Sequence, residues 1–469
     1  LSFVFYDTET TGTHTAFDQI LQFAAIRTDP DLNELERFEI RCRLLPYIVP
    51  SPGAMRVTGL TVDRLTDSSL PSHYQMIRAI RAKLTEWSPA IFVGHNSLRF
   101  DEYLFRQALY KTLHNPYLTN TNGNCRSDSL RMVQAVARFM PGALVIPTDE
   151  YGNHVFKLDR LAPANGFDHN AAHDAVADVE ATIHMCRLIS ECAPEHWSSF
   201  LRFSQKAAVN DFCLEEELFL YADFYFGKPY SWLVTRVGQN PENGAEMLVF
   251  DLAFDPDELA NMDEDELVGR LSERPTPVRK LRTNASPVML PCEDIPDHLR
   301  DLCLDMPEAR RRAARIRNDG ALAERLVAAF LAARKERQPS IHVEEQIYDG
   351  FFHDDYQTMM ERFHSQIDWT TRPPLIGQLS DRRLRSLGNR LIYVEAPHAI
   401  PESKRREYEV AIAKRLLIAD GSVPWLTLPQ AIKDTDELLA ASDGADRLIL
   451  TDLRSYLSER AREAAILAA

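Results

Sequence analysis

Three short stretches of this chain place acidic side chains where they could do chemistry together. Asp7-Thr8-Glu9-Thr10 ends an apolar run. In an extended chain residues i and i+2 project to the same face, so Asp7 and Glu9 can reach one point in space. Paired carboxylates supply the oxygen ligands that magnesium prefers. The second stretch is Asn96-Ser97-Leu98-Arg99-Phe100-Asp101, which follows a short apolar run and opens a helix. A carboxylate there could hold the same cation or simply cap the helix. Glu102 competes with Asp101 for the role, and Asp101 is preferred because Phe100 before it can anchor its position. The third stretch is His173-Asp174-Ala175-Val176-Ala177-Asp178, at the start of the clearest helix. A histidine titrates near neutral pH and, close to a carboxylate, can act as a general base.

Each stretch alone has a plainer reading, as strand-end or helix-cap carboxylates in solvent and a surface histidine. Together they make four carboxylates with no Cys or His ligand cluster, a set that suits two hard cations. Two such cations about 3.5–4 Å apart are a known device for in-line phosphodiester cleavage.

These residues need elements to hold them. Residues 2–7, 20–27 and 38–45 read as strands, and 90–94 (AIFVG) as a short buried one. Residues 71–87, 100–113, 130–139 and 171–190 read as helices. In the last, Val176, Val179, Ile183 and Cys186 form one apolar stripe. Three strands followed by alternating helices and strands indicate an α/β sheet domain. After Pro194 the character changes. Residues 231–237 and 246–252 read as a hairpin around the turn cluster 239–244 (QNPENG). An acidic helix is expected over 255–272, short strands over 278–283 and 287–290, and helix over most of 307–338. From His342 the chain is mostly helical, with amphipathic 403–418 and a long helix at 446–468.

The 469 residues call for two or three domains. The chain opens on Leu1 rather than Met, so a few residues are expected to precede it, and the start shows no secretory signal pattern. Seven scattered cysteines without a Cys-x-x-Cys pair suggest reduced thiols in the cytoplasm. No apolar run approaches a membrane span. The net charge of −16 argues mildly against nucleic acid, unless basic residues gather on one face.

In order and spacing, DxET, NxxxFD and HDAxxD resemble the motifs of the DEDD exonuclease superfamily, in its histidine-containing subclass. A narrower resemblance, to the bacterial exodeoxyribonuclease I family, covers almost the whole chain. It rests on residues 7–14 (DTETTGTH), 22–29 (QFAAIRTD), 170–179 (NAAHDAVADV) and the distant 346–352 (QIYDGFF). It implies an α/β, ribonuclease-H-like nuclease domain with a mixed sheet at 1–192. An SH3-like domain at 195–340 and a C-terminal helical domain at 342–469 would follow. It implies that Asp7, Glu9, Asp101 and Asp178 ligate two Mg2+ ions, with Mn2+ as a substitute, and that His173 is the base for water. The implied activity is 3′→5′ degradation of single-stranded DNA to 5′-mononucleotides in DNA repair and recombination. The implied partner is the acidic tail of single-stranded DNA-binding protein, and the expected state is a monomer. Thr11 departs from the family, where an aromatic residue often stands, as does the run after Leu387 (GNRLIYVEAP).

A single strand needs a positive groove and stacking surfaces. Basic clusters stand at Arg279-Lys280-Leu281-Arg282, at Arg310-Arg311-Arg312 with Arg315 and Arg317, and at Arg382-Arg383-Leu384-Arg385 with Arg390. Each is as readily a solvated face. Lys157, Arg99 and Thr10 are the single residues expected at the DNA. An RNA-trimming nuclease with the same site, and a non-catalytic nucleic-acid-binding scaffold, are the alternatives.

Overall fold

The computed structural model describes residues 2–168, 174–225, 228–300, 305–334, 338–350, 352 and 354–469. Two sheets and a C-terminal set of helices organise them. The first sheet contains β1 (Ser2–Thr10), β2 (Ile20–Thr28), β3 (Glu34–Arg41), β4 (Ala90–Gly94) and β5 (Cys125–Asp128). Its order is β3-β2-β1-β4-β5. β1 runs antiparallel to β2 and parallel to β4, and β4 is parallel to β5, so the sheet is mixed.

Alternation along β1 separates the two faces. Phe3 and Phe5 pack with helices Ser129–Phe139 and Ala175–Cys192. Val4 and Tyr6 pack with helices His73–Glu86 and Asp101–Lys111 on the other side. Helix His73–Glu86 starts at a reciprocal cap: the Ser72 side chain accepts from the Gln75 amide, and Gln75 accepts from the Ser72 amide.

Two expectations shift. The third strand was placed at 38–45 and lies at Glu34–Arg41. The more apolar 42–49 leaves the sheet instead. Leu45 and Ile48 cluster with Val394 and Ile412 of the C-terminal helices. β5, Cys-Arg-Ser-Asp, was not foreseen, because a four-residue strand without apolar alternation carries no periodic signal.

The second sheet is antiparallel, in the order β10-β6-β7-β8-β9. Its strands are β6 (Phe219–Tyr225), β7 (Lys228–Gln239), β8 (Glu246–Asp251), β9 (Val278–Arg282) and β10 (Val288–Pro291). The expected acidic helix is two, Pro256–Ala260 and Glu264–Ser272, the second restarting at a capping box of Asp263 and Glu266. The long basic helix also divides, into Met306–Asn318 and Gly320–Ala332, at the Asp319 cap. One apolar core runs through helix Pro194–Phe203 from the first sheet into the second.

The C-terminal helices pack back on the nuclease sheet. Leu416, Leu428 and Leu453 meet Leu21 and Met55. Ile347, Phe363 and Ile376 meet Tyr74, Tyr110 and Leu113. The start of the QIYDGFF motif, residues 346–348, lies in the turn Val343–Tyr348; Ile347 packs with Tyr110, Phe352 has its ring 6.0 Å from that of Tyr110, and Tyr110 donates to the Val343 carbonyl at 3.0 Å. That motif therefore docks the C-terminal region on the helix that begins with Asp101. Among the described residues no helix is long and apolar enough to cross a membrane.

Candidate active site

Asp7 and Glu9 continue the Phe3–Phe5 face of β1, pointing towards the first turn of helix Ala175–Cys192. That turn carries Asp178. One carboxylate oxygen from each of Asp7, Glu9 and Asp178 lies within 4.8 Å of the others. Asp101 stands outside that trio but is close enough to raise the Asp7 carboxyl. It is buried at the start of its helix, and Thr8 Oγ1 donates to its Oδ1 at 2.5 Å. His173 lies outside the described residues.

Backbone geometry prepares the Asp101 loop. A Cβ on Gly94 would lie 2.8 Å from the Tyr6 carbonyl and 2.6 Å from Ser97 Cβ, so β4 must end in glycine. Asn96 then adopts a φ of 63°. Asp128, at the end of β5, accepts from the amides of Asn96 at 2.9 Å and Leu98 at 3.1 Å. The side chain of Asp128 also caps helix Ser129–Phe139. Glu102 turns away from the site. Its Oε1 accepts from Arg106, Arg126 and Thr119, and its Oε2 from the Tyr6 hydroxyl. Burial raises its carboxyl, but Arg126 and Arg106 outweigh that and hold it below the usual range. Glu102 is a buried counter-ion, and Asp101 is the carboxylate left for the site.

Asp174 fixes the facing helix. It accepts from the Val176 amide, from Arg41 Nη2 at 2.8 Å and from Gln22 Nε2 at 3.3 Å. Gln22 is the cross-strand neighbour of Glu9, so the helix start is tied to the strand beside the one that carries Asp7 and Glu9. Sequence reasoning passed over Thr8, Asp128, Asp174 and Arg41. Only the helix-cap pattern could have flagged the two aspartates.

The electrostatics call for a cation. Burial raises the Asp7 carboxyl well above the usual range, and the charges of Asp101, Asp178 and Glu9 add to it. Burial and then Asp178, Asp101 and Asp174 push Glu9 up to about 8, against Arg41. Burial raises Asp101 to about 7 despite the Thr8 hydrogen bond. Like charges this close cannot all ionise without compensation. An oxygen-only donor set of this kind fits a hard divalent ion.

The residues expected at DNA are distributed unevenly. Lys157 is exposed just before helix Leu158–Ala164. Arg99 is half exposed and donates to the Phe224 carbonyl at 3.0 Å. Thr10 is buried, and its hydroxyl donates to the Gly12 carbonyl at 2.7 Å. Thr11 is fully buried and donates to Asp18, so it serves the loop and offers no ring or surface for a base. The Arg310–Arg315 cluster is met by acids: Arg310 by Glu217, Arg311 by Glu308, Asp255 and Asp257, Arg312 by Glu308, and Arg315 by Asp257 and Asp319.

The chain matches the exonuclease family over residues 4–186 and the exonuclease I SH3-like domain over residues 204–332. It is 31% identical over 383 residues to exodeoxyribonuclease I of Escherichia coli K12, covering 77% of this chain and 78% of that one. The corresponding enzyme of Haemophilus influenzae is 29% identical over 371 residues, covering 75% and 77%. The structure superimposes on E. coli exonuclease I in complex with a dA16 oligonucleotide with a TM-score of 0.84, at 25% identity, over 98% of this chain and 99% of that one. A moderately thermophilic exonuclease I from Methylocaldum szegediense gives a TM-score of 0.85, at 25% identity and the same coverage. With the nuclease sheet, the SH3-like sheet and the returning C-terminal helices all in common, this chain belongs to the exodeoxyribonuclease I family.

Proposed function

We propose that the protein is a 3′→5′ exonuclease that degrades single-stranded DNA to 5′-mononucleotides. The observation that carries this reading is the convergence of Asp7, Glu9 and Asp178 within 4.8 Å, with buried Asp101 beside them. Asp7, Glu9, Asp101 and Asp178 would hold two Mg2+ ions, with Mn2+ as a substitute. When bound, such ions activate water and stabilise the leaving oxygen of an in-line displacement. Thr8 and Asp128 orient Asp101, and Asp174 orients the helix that carries Asp178. His173 takes the proton of the attacking water at a ring nitrogen, and Lys157 and Arg99 meet the strand. The nuclease domain occupies 1–192, the SH3-like domain 195–340 and the helical domain 342–469. The reading extends to a cytoplasmic monomer that works with the acidic tail of single-stranded DNA-binding protein.

The test is digestion of matched single-stranded DNA, double-stranded DNA and single-stranded RNA, each labelled at the 5′ end, with magnesium, manganese or EDTA. Magnesium-dependent shortening of the single-stranded DNA alone is the expected result. A preference for RNA would move the function to RNA trimming, and no cleavage of any substrate would leave a binding scaffold.

A further inference from the structure

The connection from β1 to β2, residues 11–19, starts just after Glu9 and ends just before Gln22. It is folded tightly on itself. The Thr11 amide donates to the Gln19 carbonyl at 3.0 Å, and the Thr11 hydroxyl to Asp18 at 2.8 Å. Asp18 also accepts from the His14 amide at 2.7 Å. A Cβ on Gly12 would fall 2.6 Å from Asp18 Oδ2, so the two arms of the loop touch. These bonds make the loop one stiff piece with Glu9 at its base. Lys111, the last residue of helix Asp101–Lys111, donates to the Asp18 carbonyl at 3.2 Å. The loop therefore touches the helix that begins with Asp101 as well as the strand of Glu9.

One side chain of this loop, Phe17, reaches into the C-terminal region. It is 3% exposed. Its ring centre lies 5.5 Å from that of Trp425 and 5.9 Å from that of His342. Trp425 stands in the connection between helices Glu402–Leu416 and Leu428–Ala440. The Arg415 guanidinium lies 3.7 Å from the Trp425 ring centre and 5.7 Å from that of Phe17. The Trp425 indole N–H donates to the Arg415 carbonyl at 3.2 Å, and Arg415 pairs with buried Glu344 at 3.3 Å. A ring held by a cation on its face and a hydrogen bond at its edge is fixed in position and in tilt. Attachment of the C-terminal region does not require this joint. That region already buries Leu416, Leu428 and Leu453 on Leu21 and Met55, and Ile347 and Ile376 on Tyr110, and Phe17 belongs to neither cluster.

We propose that Phe17 and Trp425 are positioning residues: through their contact the C-terminal region sets the loop that follows Glu9, and with it the place of Glu9 relative to Asp101. A stiff loop transmits a shift at Phe17 to its base instead of absorbing it. A carboxylate displaced by a fraction of an ångström holds its share of the reacting geometry poorly, and misplacement from a distance is costly in rate. The C-terminal region thereby acts on the chemical step itself. The assignment rests on the exonuclease reading above.

The test times the release of the 3′-terminal nucleotide from oligothymidylates of graded length, with magnesium and with the full-length protein in saturating excess over strand. Trp425→Leu keeps apolar bulk at the joint and removes the ring. Its release rate should fall roughly tenfold to a hundredfold, by the same factor at every length. Trp425→Phe keeps a ring for Phe17 and Arg415 and should recover most of the rate. Phe17→Leu added to Trp425→Leu should cost little more, because both act through one contact. A loss that vanishes on the shortest strands and grows with length would mean that the region acts on the strand alone, and would overturn the coupling, as would wild-type rates at every length. A wild-type protein that releases no nucleotide from any strand would overturn the exonuclease reading itself.

Discussion

Thr8 and Asp101 are joined by a 2.5 Å hydrogen bond made from the face of β1 opposite to that of Asp7 and Glu9. One strand thus supplies two carboxylates of the acidic group on one side and, with the residue between them, the clamp for a third on the other. Thr8→Val removes the donor and keeps the shape. Turnover is expected to fall roughly tenfold to a hundredfold, in line with the ~1.5–3 kcal/mol that a hydrogen bond to a charged group contributes. Thr8→Ser should restore most of the loss. Equal turnover in Thr8→Val and wild type would show that Asp101 needs no such clamp.

Asp7 lies at the centre of the acidic group, with Asp101, Asp178 and Glu9 all acting on its carboxyl. Asp7→Ala is expected to abolish cleavage while single-strand binding stays largely intact, because it removes one carboxylate of the acidic group and none of the surface that meets the strand. Gel-shift and end-label assays on one preparation check this. Normal cleavage by pure Asp7→Ala protein would refute the ligand assignment.

His173 directly precedes Asp174, the cap that Arg41 and Gln22 hold in place. As a general base it should be worth roughly 10²–10⁴ in turnover. His173→Ala should lose that factor and also the acid limb of the pH–rate profile. A profile of unchanged shape in the variant would assign the base elsewhere.

Glu344 seats the C-terminal helices through a buried pair of contacts, to Arg390 at 2.7 Å and Arg415 at 3.3 Å. Burial raises its carboxyl, but the two arginines outweigh burial and bring it from 4.5 down to about 2. The folded value lies below the unfolded one. The stabilisation is therefore complete above about 4.5 and is lost as pH falls towards 2. Glu344→Gln should cost on the order of 3 kcal/mol at neutral pH. Melting curves of the two proteins should converge as the pH is lowered through that window. A gap that stayed constant with pH would mean that the charge of Glu344 is not what holds the seam.

The elements that carry the site were legible because their signals are local. Alternation over β1, the apolar run of β4 and the stripe of helix Ala175–Cys192 each recur within one element, and the DxE spacing puts two carboxylates on one face by strand geometry alone. Glu34, Glu36 and Arg37 hid the start of β3 for the opposite reason. An edge strand tolerates charges, while the more apolar residues after it belong to a seam with helices about 350 residues away in sequence.

By itself, then, the sequence determined which side chains could ligate a cation and which short elements present them, since both follow from residue type and period. The sequence preferred Asp101 to Glu102 on the Phe100 before it, and the tertiary structure supplied the physical difference between them: Arg106 and Arg126 close on Glu102 while Thr8 and the Asp7 group face Asp101. The same holds for the basic clusters. Whether an arginine is free for phosphate depends on the acid folded against it. Glu308 and Asp257 occupy Arg311, Asp251 occupies Arg279, and Arg99 meets Asp223 and the Phe224 carbonyl, and those pairings arise only when distant segments pack.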